Sequence, residues 1–203
     1  MVWDPHRWSG QSYDGGRWLL QYDGEPSASL SRVIGAWAER IRELDGILDT
    51  VPGFRELAIT TESQDKIDWR EWLEHGGEVE VEDSILHRIV VEYNGEDLDF
   101  LARAKGMSVR EVIERHVSPK YTVGMVGFRP HFPYLLGLDS KLSTPRLSSP
   151  RLEVPAGSVA IGGAQTGIYP QVSPGGWHIL GKCEPEVCRS IQPGHQVKFE
   201  ERS

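Results

Sequence analysis

Two arginines that each follow a proline, Pro145-Arg146 and Pro150-Arg151, place permanent cations on a stiff extended segment. A guanidinium fork matches a carboxylate in two parallel hydrogen bonds, so this spacing suits recognition of a small acid. Shortly downstream, Gly162-Gly163-Ala164-Gln165-Thr166-Gly167 combines glycines, which permit close backbone approach, with two side chains that both donate and accept. That loop suits either an amide- or carboxylate-binding clamp or a plain hairpin. Tyr169-Pro170 and Ser173-Pro174-Gly175-Gly176-Trp177 add turns of defined shape beside it, because proline fixes φ where glycine frees it. His116 and His131 are the candidate general acids or bases, since imidazole titrates near neutrality.

Other chemistries find no support. The segment Gly176 to Lys182, GWHILGK, has phosphate-loop spacing, but Cys183 stands where a Ser or Thr would ligate magnesium and the pattern reads as a strand entering a core. There is no Ser-His-Asp order, HExxH motif or nucleophile elbow, hence no covalent nucleophile to name. Cys183 and Cys188 have no second pair with which to complete a zinc site, and read as ordinary reduced thiols. No metal site is expected.

The 203 residues suffice for two small domains. Charged residues make up 26% and apolar residues 38%, an ordinary balance for a water-soluble fold. Formal charge is -8, and no basic stretch with interleaved aromatics exists, which argues against a nucleic-acid partner. No apolar run reaches membrane-spanning length and the opening MVWDPHRW is not a secretory signal, so a cytoplasmic location is expected.

The elements that must hold these groups follow from period and punctuation. Arg17 to Tyr22 reads as a strand, and Leu30, Val33, Ile34, Trp37, Ile41 and Leu44 form one face of a helix that Gly46 is placed to end. Phe54 to Thr60 reads as a strand, Asp68 caps a short helix WREWLEH, and the acidic EVEVED of residues 78 to 83 marks a boundary. Beyond it come a strand at Ile85 to Tyr93, a helix at Leu98 to Lys105, and a helix to His116 opened by the capping box of Ser108 and Glu111. Tyr121 to Val126 alternates as a strand, and from there to Phe199 the dense Gly, Pro and aromatic pattern predicts only strands and loops. The expected architecture is α+β, with a small α/β domain over residues 1–83 and a β domain over 84–203.

Several long segments carry a family resemblance: YNGEDLDFLA, SVREVIERH, GFRPHFPYL, TPRLSSPR, VPAGSVAIGGAQTGIYP, SPGGWHILG and the closing PGHQVKF, with GILDTVPGFRELAI upstream. From about Val90 to Phe199 the chain resembles the family that contains the B-type subunit of 5-oxoprolinase, the small subunit of allophanate hydrolase or urea carboxylase-type carboxyltransferases, and the KipI inhibitor of a histidine kinase. The resemblance implies that the second domain is a cyclophilin-like β-barrel. It also implies a B-type subunit of an ATP-dependent 5-oxoprolinase that opens 5-oxoproline to glutamate with a larger C-type subunit and an A-type subunit. In that picture the chain binds no cofactor itself, ATP being used through its partners, and supplies half of an interface site. Gln165 and Thr166 would orient an amide or carboxylate, Arg146 and Arg151 would hold negative charge, and Tyr169, Gly175 and Gly176 would shape the pocket. Tyr134 and His116 would assist proton movement, while Phe128, Phe132 and His131 would face the partner. Two alternatives stay open, carboxyl transfer to urea or a related amide and non-catalytic inhibition of a histidine kinase. His131 replaces the glycine of relatives and is expected to project into the pocket and narrow it, and His195 replaces their aspartate.

Overall fold

The computed structural model describes residues 5–13, 15–62, 68–76 and 84–202, which divide into two compact units, Met1–Ser84 and Ile85–Ser203. In the first unit, β1 (Trp8–Tyr13) and β2 (Arg17–Tyr22) form a hairpin whose turn uses Gly15 and Gly16 at positive φ. Helix α1 (Ala28–Arg42) starts at Ser27, whose hydroxyl accepts the Leu30 N–H at 3.2 Å, and buries Leu30, Ile34, Trp37 and Ile41. Strands β3 (Ile47–Pro52) and β4 (Glu56–Thr61) and helix α2 (Trp69–Gly76) complete the unit. The sheet is antiparallel in the order β1-β2-β4-β3.

Two of these strands were not legible in advance. Strand β1, WSGQSY, is polar and interrupted by Gly10, a position where a Cβ would lie 2.5 Å from the Trp69 indole. Strand β3 is an edge with mostly exposed side chains, so no apolar alternation marks it. Gly46 has φ +80° but does not cap α1, which ends at Arg42; it turns the chain into β3 instead. The acidic segment at 78–83 lies outside the described residues.

The second unit opens with β5 (Leu86–Val91), α3 (Leu98–Lys105) and α4 (Val109–Val117). Gly106, at φ +64°, closes α3, and the Ser108–Glu111 capping box opens α4 with both reciprocal hydrogen bonds present. Strands β6 (Tyr121–Val126), β7 (Pro133–Leu136), β8 (Arg151–Val154), β9 (Ser158–Gly162), β10 (Gln165–Ile168), β11 (Ser173–Gly175), β12 (His178–Lys182) and β13 (Gln196–Glu201) follow. Short 3-10 turns at Ser140–Leu142 and Pro185–Ser190 interrupt the all-β stretch expected there.

Seven of these strands form one sheet in the order β12-β9-β10-β7-β6-β13-β5, antiparallel except for the parallel β13–β5 pair. Its two ends meet. Glu92 and Lys182 exchange backbone hydrogen bonds at 2.9 Å in both directions, so the sheet is a nearly closed barrel with little free edge. Tyr121, Val123, Leu135, Val197 and Phe199 fill it, while α3 and α4 pack Leu101, Val112 and Ile113 against Ile161 and Leu180. Strands β8 and β11 form a separate two-stranded ribbon.

GWHILGK is resolved as a strand: β12 runs through it with no helix following directly, so the backbone cradle of a phosphate loop is not formed. Cys183 and Cys188 are buried free thiols, pushed up to about 12 by burial and therefore protonated. No helix among the described residues is long and apolar enough to cross a membrane.

Glycines in this barrel are not equivalent. Gly157 has φ +81°, and a Cβ there would collide with the Cys183 carbonyl; Gly163 has φ +62° and open space. Gly163→Ala should therefore cost about 1–2 kcal/mol from left-handed strain alone, whereas Gly157→Ala should cost about 3 kcal/mol or more because backbone must move. Urea unfolding of the two variants checks the ranking.

Candidate functional site

The loop between β6 and β7 is a tight turn in which Gly127 N–H donates to the Phe132 carbonyl and Phe132 N–H to the Arg129 carbonyl, both at 3.1 Å. Within it Phe128 and His131 adopt φ of 69° and 67°, the left-handed region that ordinary side chains avoid. This geometry points the side chains of the turn in two directions. Phe128 and Phe132 go to one cavity, Pro130 and His131 to another.

The first cavity, about 260 Å³, is an aromatic cage. Phe132 forms its base, 2% exposed, with T-shaped contacts to Tyr169 at 5.0 Å and Trp177 at 5.7 Å and a tilted one to Tyr134 at 4.9 Å. Tyr134 meets Trp177 edge-on at 5.5 Å, and Phe128, 57% exposed, stands at the mouth. Small residues make the closeness possible. A Cβ on Gly162 would lie 2.6 Å from the Trp177 indole, and one on Gly175 would collide with the Tyr169 hydroxyl.

One cation enters this cage. The Arg146 guanidinium lies 5.7 Å from the Trp177 ring centroid, and among the described residues Arg146 makes no ion pair. Burial raises the Tyr134 phenol above its ordinary value, against an opposing pull from Arg146, and raises Tyr169 likewise, so both remain O–H donors at neutral pH. Apolar walls, two phenolic donors and one uncompensated guanidinium suit a small ligand with a flat or apolar body and an anionic group. No cluster of three or more metal-ligating side chains occurs among the described residues.

The cavity thus gathers Phe128, Phe132, Tyr134, Arg146, Tyr169, Gly175 and Gly176. The remaining sequence candidates lie elsewhere. His116 is fully buried and stacked on Phe199 at 4.7 Å, with Tyr93 Oη at 2.7 Å from Nδ1 and Thr166 Oγ1 at 2.9 Å from Nε2. Since the Thr166 hydroxyl donates to the Ala160 carbonyl at 2.9 Å, it accepts from His116 Nε2–H, and Nδ1 accepts from Tyr93. His116 and Thr166 are links in an interior chain, and burial lowers the imidazole to about 3. Neither lines the cage, so neither touches a ligand held there.

Gln165 opens β10 opposite Gly162 in the β9–β10 hairpin, whose Gly163 bonds Thr144 in both directions, and does not line the cavity. Arg151 spends its fork internally, on Asp97 at 2.7 Å, Glu96 at 2.8 Å and the Trp177 carbonyl at 3.2 Å. His131 is exposed and faces the second cleft beside Gln171, Glu186 and Arg189, so it does not narrow the cage. Phe132, expected at an exposed partner surface, is interior. His195 Nδ1 lies 2.9 Å from His87 Nε2 and accepts the Gln192 N–H at 3.2 Å, a pairing away from the cavity. Sequence reasoning missed Trp177 as a cavity wall, because a tryptophan entering a strand reads as core; it is 4% exposed and both at once.

A family model described as carboxyltransferase domain, subdomain C and D, matches residues 11–193. The B-type subunit of 5-oxoprolinase from Haemophilus influenzae is 39% identical over 195 residues, covering 86% of this chain and 89% of that protein. Its counterpart of the same name from Escherichia coli O157:H7 is 35% identical over 196 residues, covering 86% and 88%. Among solved structures, TTHA0988 superposes with a TM-score of 0.81 at 34% identity over 92% of this chain, which spans 40% of that longer one.

Two outcomes follow from the placement of the histidines. His116 has a depressed folded value, so its stabilising contribution is complete above about pH 6.5 and is lost as pH falls toward about 3. Between pH 6.5 and 4 the wild type should lose up to about 1.4 kcal/mol per pH unit from this group, and His116→Gln, which does not titrate, should show a flatter urea-midpoint profile. His131→Gly should leave the cage unchanged and stabilise by up to about 1 kcal/mol through relief of left-handed strain. A destabilised His131→Gly in urea unfolding would show that the imidazole makes contacts worth more than the strain.

Proposed function

The chain belongs to the family of the carboxyltransferase domain, subdomains C and D, and on that premise we propose that it is the B-type subunit of a heteromeric, ATP-dependent 5-oxoprolinase. The observation that carries this reading is the match to two proteins named as B-type subunits of 5-oxoprolinase, at 35% and 39% identity along nearly the whole of both partners. The cage is consistent with it. 5-Oxoproline is a five-membered lactam bearing a carboxylate: its methylene edge fits the walls of Phe128, Phe132 and Trp177, and its carboxylate fits the fork of Arg146. Tyr134 and Tyr169, held protonated by burial, can donate to the lactam or carboxylate oxygens.

Opening the ring adds one water across the amide C–N bond, the carbonyl carbon taking oxygen and the nitrogen taking a proton. ATP hydrolysis, carried out through the partner subunits, supplies the driving force. This chain's part is to bind and orient: its cage offers no nucleophile and no phosphate loop, so it is half of a site whose remaining groups come from a larger homologous C-type subunit, with an A-type subunit completing the complex. Such a complex works in the cytoplasm, where ATP is present.

The chain alone should not turn over 5-oxoproline with ATP, whereas co-expression with the C-type and A-type subunits should give ATP-dependent glutamate formation. In that complex Arg146→Ala should raise KM for 5-oxoproline about 10- to 100-fold, the range of a lost charge-assisted hydrogen bond, with Arg146→Lys intermediate. Glutamate formation by the lone chain, or a stable complex that forms none, would overturn the proposal. Carboxylation of urea by the complex, or retention of a histidine kinase in place of the C-type subunit, would replace it.

A further inference from the structure

Two walls of the cage, the Trp177 indole and the Arg146 guanidinium, are held by groups outside the cavity. Asp97 precedes α3 and is 8% exposed. Its carboxylate accepts two hydrogen bonds from Arg151 Nη2, at 2.7 and 2.9 Å, and a third from the backbone N–H of Ile179 at 2.7 Å. The Asp97 N–H returns a bond to the Ile179 carbonyl at 3.2 Å. Arg151, fixed in this way, uses Nη1 to hold the Trp177 carbonyl at 3.2 Å. The indole then lies over Gly162 and Gly167, where any Cβ would press on it at 2.6 and 3.1 Å.

The same strand end seats the cation. Leu147 N–H donates to the Gly176 carbonyl at 2.8 Å and His178 Nε2 to the Pro145 carbonyl at 3.0 Å, so the residues on either side of Arg146 are tied to the residues on either side of Trp177. A buried ion pair contributes little net stability, since desolvation offsets most of the attraction, and its best-attested use is to specify one arrangement among several. Here the arrangement specified is the distance between the indole and the guanidinium. We infer that Asp97 and Arg151 are positioning residues for the cage: they act through Trp177 and never touch the ligand. Arg151 thereby has a role other than carboxylate binding, and the pair ties ligand affinity to the docking of α3 on β12.

The test has one arm that is independent of the proposed activity. Of the seven tryptophans only Trp177 lies in Ile85–Ser203, so in fluorotryptophan-labelled full chain its resonance is assigned by Trp177→Phe and is read separately from the other six. Asp97→Asn keeps an oxygen for Ile179 but not the ion pair, and Arg151→Lys keeps the charge but not the fork. Both should shift or broaden the Trp177 resonance and leave the others in place. The second arm rests on the 5-oxoprolinase reading: in the assembled complex each variant should raise KM for 5-oxoproline about tenfold, equivalent to losing one good hydrogen bond, with kcat within about threefold. Asp97→Asn/Arg151→Gln, in which a neutral amide pair replaces the ions, should lose less than Asp97→Asn and Arg151→Gln made singly lose when added together. An unmoved Trp177 resonance in both single variants, or a fall in kcat with KM unchanged, would overturn the inference. A wild-type complex inactive on 5-oxoproline would sink the functional reading and leave the resonance to decide this one.

Discussion

The second unit depends on one carboxylate. Asp97 joins the start of α3 to the first residue of β8, 54 residues away, and to Ile179 near the start of β12, 82 residues away. Its three accepted hydrogen bonds, with the reciprocal N–H to Ile179, satisfy a charge that would otherwise be costly to bury. Close by, Gly95 N–H donates to the Leu180 carbonyl, and no Cβ would fit there against Ile179 and Leu180. Helix α3 is thus held to the barrel by backbone contact and one buried anion, with Leu98 and Leu101 sealing the seam.

Barrel closure and cage formation share strand β12. At one end Lys182 bridges Glu92 and closes the sheet; at the other Trp177 leaves it and lies across the glycines of β9 and β10. A strand that is almost completely buried between these points carries no freedom to the cavity, so the aromatic rings stand in one arrangement before any ligand arrives. Preorganisation of this kind favours binding, because little ordering remains to be done when the ligand enters. The open side of the cage, with Phe128 half in solvent and Arg146 unpaired among the described residues, is the side left for a second subunit under the proposed function.

Polar groups divide between the interior and the cavity by whether their hydrogen bonds are already complete. Tyr93, His116, Thr166 and the Ala160 carbonyl form a closed chain, so His116, despite an imidazole's usual suitability for proton transfer, is held neutral as a packing residue. Arg146, which makes no ion pair among the described residues, sits where the aromatic walls end and water begins, and there a guanidinium keeps the capacity to meet a ligand.

Local chemistry was enough to specify the buried face of α1, α3 over Leu98 to Lys105, α4 with its capping box, and the run of Gly, Pro and aromatic turns that becomes the barrel and its cage. Those signals act over three or four residues, so the sequence determined them by itself. It also carried the family, through long ordered motifs. What it did not carry was the direction in which each candidate side chain points. Arg146 and Arg151 have the same local context, a preceding proline, yet Arg146 meets the cage and Arg151 meets Asp97, 54 residues away. His116 and His131 each read as a candidate general acid or base, and only the folded chain sends one into the core and the other, on a left-handed turn, to a separate cleft. A side chain's surroundings are set by contacts between segments remote in sequence, and tertiary structure alone decides which arginine is left for a ligand.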